Sequence, residues 1–120
     1  MPLDESIDKP QIVQLILSQT TEEALVLLAK HYRVAVPQLK VGLPKGRKRN
    51  IYGCYTSKNQ TISVLNSDFL GNPFVILHEF YHHLRSKSID RQHKGTERNA
   101  DRFATEFLIA YQSAGGNVNP

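Results

Sequence analysis

Phe74-Val75-Ile76-Leu77-His78-Glu79-Phe80-Tyr81-His82 is an apolar run that closes in HExxH, and the rest of the chain is read outward from it. In a helix, His78 and His82 stack on one face four residues apart, with Glu79 about 100° round beside them. Two neutral imidazoles so placed offer two metal ligands, and the carboxylate between them can take a proton from an activated water. Asn72-Pro73 is a strong helix start, with Asn as the cap and Pro at the first helical position. Phe74, Val75, Ile76, Leu77, Phe80, Tyr81 and Leu84 surround the histidines with apolar side chains. The helix is therefore expected to be buried and its imidazoles neutral.

A catalytic zinc ion takes three protein ligands and keeps one position open. The single cysteine, Cys54, excludes an intramolecular disulfide and any Cys-rich zinc site, and its place in a β-prone run makes it a small buried thiol. Glu97 and Asp101 supply the missing carboxylates. They line up with Ala104 and Leu108 on the side of a later helix expected to face the core, where carboxylates are costly unless paired or metal-bound. Glu97 as third ligand, with Asp101 holding the far nitrogen of His78 or His82, accounts for both. Two alternatives stand beside this: pairing of the two carboxylates with Lys94, Arg98 or Arg102 on a wet edge, and His93 as a third ligand from a loop. His83 is 100° round from His82 and is expected behind the ligands or at the surface. The extended metzincin pattern fails, because Arg85 stands where Gly is needed and Ser88 where His is needed, and the only Met is Met1.

The 120 residues, 40% hydrophobic and 22% charged, fit one small globular domain spanning 1–120, with 113–120 as a flexible tail. No secretory leader and no membrane-length apolar run is present, so a cytoplasmic protein with no membrane partner is expected. Asp8-Lys9-Pro10-Gln11 starts a helix and Thr20 with Glu23 offers a second capping box, which gives either two short helices or one helix with a break at Ser18 to Thr21. A strand is expected at Gln38 to Leu43. Ile51 to Thr56 and Thr61 to Leu65 form a hairpin around Ser57-Lys58-Asn59-Gln60. Three antiparallel strands then make a minimal sheet. Arg85 to Gly95 reads as a loop, and Thr96 caps a final helix whose apolar positions are Ala100, Phe103, Ala104, Phe107, Leu108 and Tyr111, stopped by Gly115-Gly116. The fold class is α+β: a small antiparallel sheet packed on an active-site helix and a C-terminal helix, with N-terminal helices, in a minimal zincin-like arrangement.

HEFYH followed by Glu97-Arg98-Asn99-Ala100-Asp101-Arg102-Phe103-Ala104 resembles the HExxH and E-x-x-A-[ND]-x-F-A signatures of the ImmA/IrrE metallopeptidases and the related minigluzincins. The resemblance covers about residues 52–108. It implies one zinc ion on His78, His82 and Glu97, Glu79 as general base, Asp101 orienting a ligand, and cleavage of a protein substrate such as a transcriptional regulator. Tyr52, Tyr55, His83, His93 and Tyr111 are the candidates for steadying an oxyanion or touching substrate. A second expectation comes from the net charge of +4, concentrated at Lys45, Arg47, Lys48 and Arg49. That loop suits a zinc-stabilised regulatory or nucleic-acid-binding module that does not cleave. A third is a latent peptidase whose C-terminal tail fills the cleft.

Overall fold

The computed structural model describes residues 7–46, 51–87 and 96–116. Helix α1 (Lys9–Leu17) starts where Asp8 accepts a hydrogen bond from the Gln11 N–H, with Pro10 in the first turn. It ends at Gln19, whose φ of 67° lets the N–H groups of Gln19 and Thr20 return to the carbonyls of Ile16 and Leu15. Thr20 does not form the expected capping box. Its hydroxyl donates to the Leu15 carbonyl at 2.7 Å, closing α1 rather than opening α2 (Thr21–Tyr32). Helix α2 closes in the same manner through Arg33 at φ 61°.

Strands β1 (Gln38–Val41), β2 (Gly53–Thr56) and β3 (Thr61–Val64) form one sheet in the order β1-β3-β2. β2 and β3 make the expected antiparallel hairpin, pairing Gly53 with Val64 and Thr56 with Thr61. β1 departs from the all-antiparallel expectation and runs parallel to β3, Gln38 beside Thr61 and Val41 beside Val64. The hairpin folds β3 back into the gap between β1 and β2, and all four residues of β3 are buried there. A strand so buried needs both of its hydrogen-bonding edges paired, and the chain direction makes one partner parallel.

A short 3-10 turn (Ser67–Gly71), capped by the Asn66 side chain, leads into α3 (Pro73–Ser86). Asn72 accepts from the Val75 N–H at 3.1 Å and Pro73 occupies the first helical position, as the sequence implies. α3 continues through Arg85 and Ser86, which the sequence reading assigns to a loop. α4 (Glu97–Ser113) begins at Thr96, whose hydroxyl accepts from the Asn99 N–H. It closes at Gly115, with φ 94° and the Gly116 N–H on the Tyr111 carbonyl; of the tail expected at 113–120, residues 117–120 lie outside the described residues.

The core lies where α3 and α1 pack on α4, α2 packs on α1 and the sheet packs on α3, built from Ile12, Ile16, Leu25, Leu28, Ile62, Ile76, Phe80 and Phe107. Cys54 is buried, as expected. No described helix is long and apolar enough to cross a membrane.

Candidate metal centre

α3 carries two kinds of surface. Ile76, Leu77, Phe80 and Leu84 face the core, while His78 and His82 keep side-chain exposures of 12% and 20%. The two imidazoles meet edge to face at 5.1 Å between ring centres. Glu79 lies beside them, 93% buried, with Oε2 3.9 Å from His78 Nε2. His78, Glu79 and His82 each offer a ligand atom within 4.8 Å of the others, a group that could hold a metal ion. Burial lowers the His82 pKa, against the opposing pull of Glu97, which favours the neutral imidazole a metal requires.

Glu97 and Asp101 reach this group from the first turns of α4. Glu97 Oε1 is 2.7 Å from His78 Nε2, and Glu97 Oε2 is 3.1 Å from His82 Nε2, so one carboxylate spans both imidazoles. Asp101 Oδ1 lies 2.8 Å from His78 Nδ1, on the far side of the ring. Both carboxylates are more exposed than the sequence pattern implies, at 78% and 54%. The buried residues of α4 are Ala100, Ala104 and Phe107, so Glu97 and Asp101 stand off the buried stripe and meet the histidines from its exposed first turns. Among the described residues, the ion pairs of Glu97 and Asp101 are with these histidines and not with Arg98 or Arg102.

β2 forms the opposite wall. Gly53 permits its approach to α3, since a Cβ there would sit 2.8 Å from Val75 Cγ1 and 3.5 Å from Glu79 Cγ. Leu65 donates to the Tyr52 carbonyl, which makes 52/65, 54/63 and 56/61 the hydrogen-bonded pairs of the hairpin. The N–H and C=O groups of Gly53 and Tyr55 therefore point away from β3, toward the groove. That groove has two ends. Near Tyr55, Ser57 and Ser86 it is a cavity of about 460 Å³ that also touches Glu79, His82 and Glu97. Near Tyr52, Phe74 and Val75 it is a mostly apolar pocket of about 200 Å³ beside His78 and Asp101.

The remaining candidates separate clearly. Tyr55 reaches the groove and its hydroxyl lies 2.7 Å from His83 Nδ1. His83 is fully buried rather than at the surface, with Nε2 2.7 Å from the Ala35 carbonyl, and burial lowers its pKa. Tyr52 is 56% exposed and stacks on Phe69 at the apolar end. Tyr111 is not brought to the site, since its hydroxyl donates to Gln14 Oε1 on α1. His93, Lys94 and Ser88 lie outside the described residues, as do Arg47, Lys48 and Arg49 of the basic run, which leaves Lys45 as its described member. Sequence reasoning missed Ser86 and Gly53. For Gly53 a signal existed, because a glycine inside a strand marks a close backbone approach.

Searches against protein-family models, curated proteins and solved structures find no match to this chain.

Proposed function

We propose that the chain is a zinc-dependent peptidase that hydrolyses peptide bonds of a protein or peptide substrate. The observation that carries this reading is the Glu97 carboxylate spanning His78 Nε2 and His82 Nε2, with Glu79 alongside and Asp101 behind His78. Ligand atoms around a four-coordinate zinc stand roughly 3.3 Å apart, given bonds of about 2.0–2.1 Å. The spacings of 2.7 and 3.1 Å are a few tenths of an ångström inside that, and Glu97 is exposed enough to withdraw by this amount. Two imidazoles and one carboxylate also match zinc's ligand preferences.

When bound, zinc supplies positive charge that polarises a peptide carbonyl and acidifies water. His78, His82 and Glu97 would hold it, and Asp101 fixes the ring of His78 through Nδ1, leaving Nε2 toward Glu97. Glu79 accepts the proton of the attacking water and delivers it to the departing amine. Gly53 and Tyr55 offer main-chain donors and acceptors to an extended peptide lying antiparallel to β2, the mode by which a sheet edge takes up a strand. The likeness of HEFYH and the Glu97–Asp101 segment to the ImmA/IrrE signatures supports the same assignment and adds transcriptional regulators as a substrate class.

The test is cleavage of a quenched-fluorescent peptide library by zinc-loaded protein. Glu79→Gln is expected to keep one zinc per chain and to lose cleavage. Undiminished cleavage by zinc-loaded Glu79→Gln protein contradicts the mechanism.

A further inference from the structure

The groove end beyond His82 is set by two hydroxyl groups whose protons face inward. The Ala35 carbonyl can only accept, so His83 Nε2, 2.7 Å away, carries the hydrogen. His83 is fully buried against the rings of Tyr55 and Phe80 and the Ala35 carbonyl, a setting that holds a neutral imidazole. Its Nδ1 is then an acceptor, and the Tyr55 hydroxyl at 2.7 Å donates to it. Ser86 Oγ, 3.3 Å from the Tyr55 hydroxyl, donates to the His83 carbonyl at 2.7 Å. Both oxygens thus offer only lone pairs to the 460 Å³ cavity they line. The described side chains around them include the carboxylates of Glu79 and Glu97 and no lysine or arginine. Tyr55 is therefore an acceptor at this end, not the oxyanion donor its position suggests, unless it gives up His83.

We propose that this cavity is a specificity subsite for a basic side chain, Lys or Arg, with Tyr55 Oη and Ser86 Oγ as its hydrogen-bond acceptors. The inference rests on the reading of the groove as a peptide site. Tyr55 lies toward the C-terminal end of β2, so in an antiparallel peptide this basic residue precedes the scissile bond. A guanidinium or ammonium group carries donors and no acceptor, which matches a lining rich in acceptors and rejects a carboxylate side chain.

Three measurements on the intact chain test it. Mass-spectrometric profiling of a peptide library cleaved by zinc-loaded wild-type protein is expected to enrich Arg and Lys before the bond about tenfold over norleucine, with Glu depleted. Ser86→Ala and Tyr55→Phe are each expected to reduce that enrichment several-fold. Fluorescence anisotropy with labelled Thr-Val-Arg-Val-Thr and its norleucine counterpart reads the same preference without cleavage. Nitrogen-15 NMR of the histidine side chains is expected to show His83 protonated at Nε2 and bare at Nδ1. Cleavage without basic preference overturns the subsite and leaves the peptidase standing. Arg-selective binding without cleavage does the reverse. A His83 proton on Nδ1 overturns the subsite irrespective of either.

Discussion

His82 and His83 are consecutive residues on one helix, and the fold gives them opposite work. His82 opens onto a groove and faces a carboxylate, 3.1 Å from Glu97. His83 is sealed between a phenol and a main-chain carbonyl, each 2.7 Å away, and ties α3 to β2 and to the segment before β1. A neutral buried imidazole satisfied at both nitrogens is a strut, whereas one with a carboxylate partner and an open side is a potential ligand. The 100° that separates neighbours on a helix decides which is which.

The contrast can be broken at several points. Glu79→Gln should lower kcat/KM by about 10²- to 10⁴-fold while zinc stays bound, as expected for loss of a general base; steady-state kinetics with zinc quantified in the same sample checks this. His82→Ala should weaken zinc binding by about 10²- to 10³-fold, on the order of one ligand's share of a structural zinc affinity. His83→Asn should leave zinc affinity within about threefold and cost about 2–3 kcal/mol of stability instead, because it unpairs Tyr55 and the Ala35 carbonyl. Competition against a chelating dye and urea melts read the two effects separately, and equal loss of zinc in both variants would erase the distinction. Asp101→Asn should weaken zinc by about 10- to 100-fold with the fold intact.

The smallest effect is in pH. His82 and His83 both have lowered pKa values in the folded chain, with desolvation as the leading cause. Below about pH 6.5 the unfolded chain then binds more protons than the folded one, so stability is full above that pH and declines as acid is added. Urea melts of metal-free protein at pH 7.5 and pH 5 should show this loss, and His83→Asn should reduce it. A stability unchanged over that interval would mean that neither imidazole is held neutral.

The legible parts of the molecule were those written locally. Asp8, Asn72 and Thr96 cap helices because a side chain and the N–H it accepts lie three residues apart, so the short sequence holds both partners. Thr20 failed as a cap because its hydroxyl is turned to donate to the Leu15 carbonyl, which only the closing turn of α1 brings near. The parallel placement of β1 depends on a hairpin folding back between two strands, which alternation along each strand does not record. Helical period put Glu97 and Asp101 on the side of α4 that meets His78 and His82, yet could not tell that this first part of the helix leaves both carboxylates exposed. His83 continues the Ile76–Phe80 stripe of α3 and so belongs to the core face, a signal that its 100° offset from His82 alone does not give. Its partners were not, since Tyr55 and Ala35 lie 28 and 48 residues away.

Zinc stoichiometry in matched samples tests the central claim most directly. Metal-free protein dialysed against micromolar zinc at pH 7.5 is predicted to hold one ion per chain, with X-ray absorption at the zinc edge showing two imidazoles and carboxylate oxygen. The His78→Ala/His82→Ala double variant, folded by circular dichroism, is predicted to hold none. Retention of zinc by that variant, or no zinc on the wild type, would contradict a metal centre built between α3 and α4.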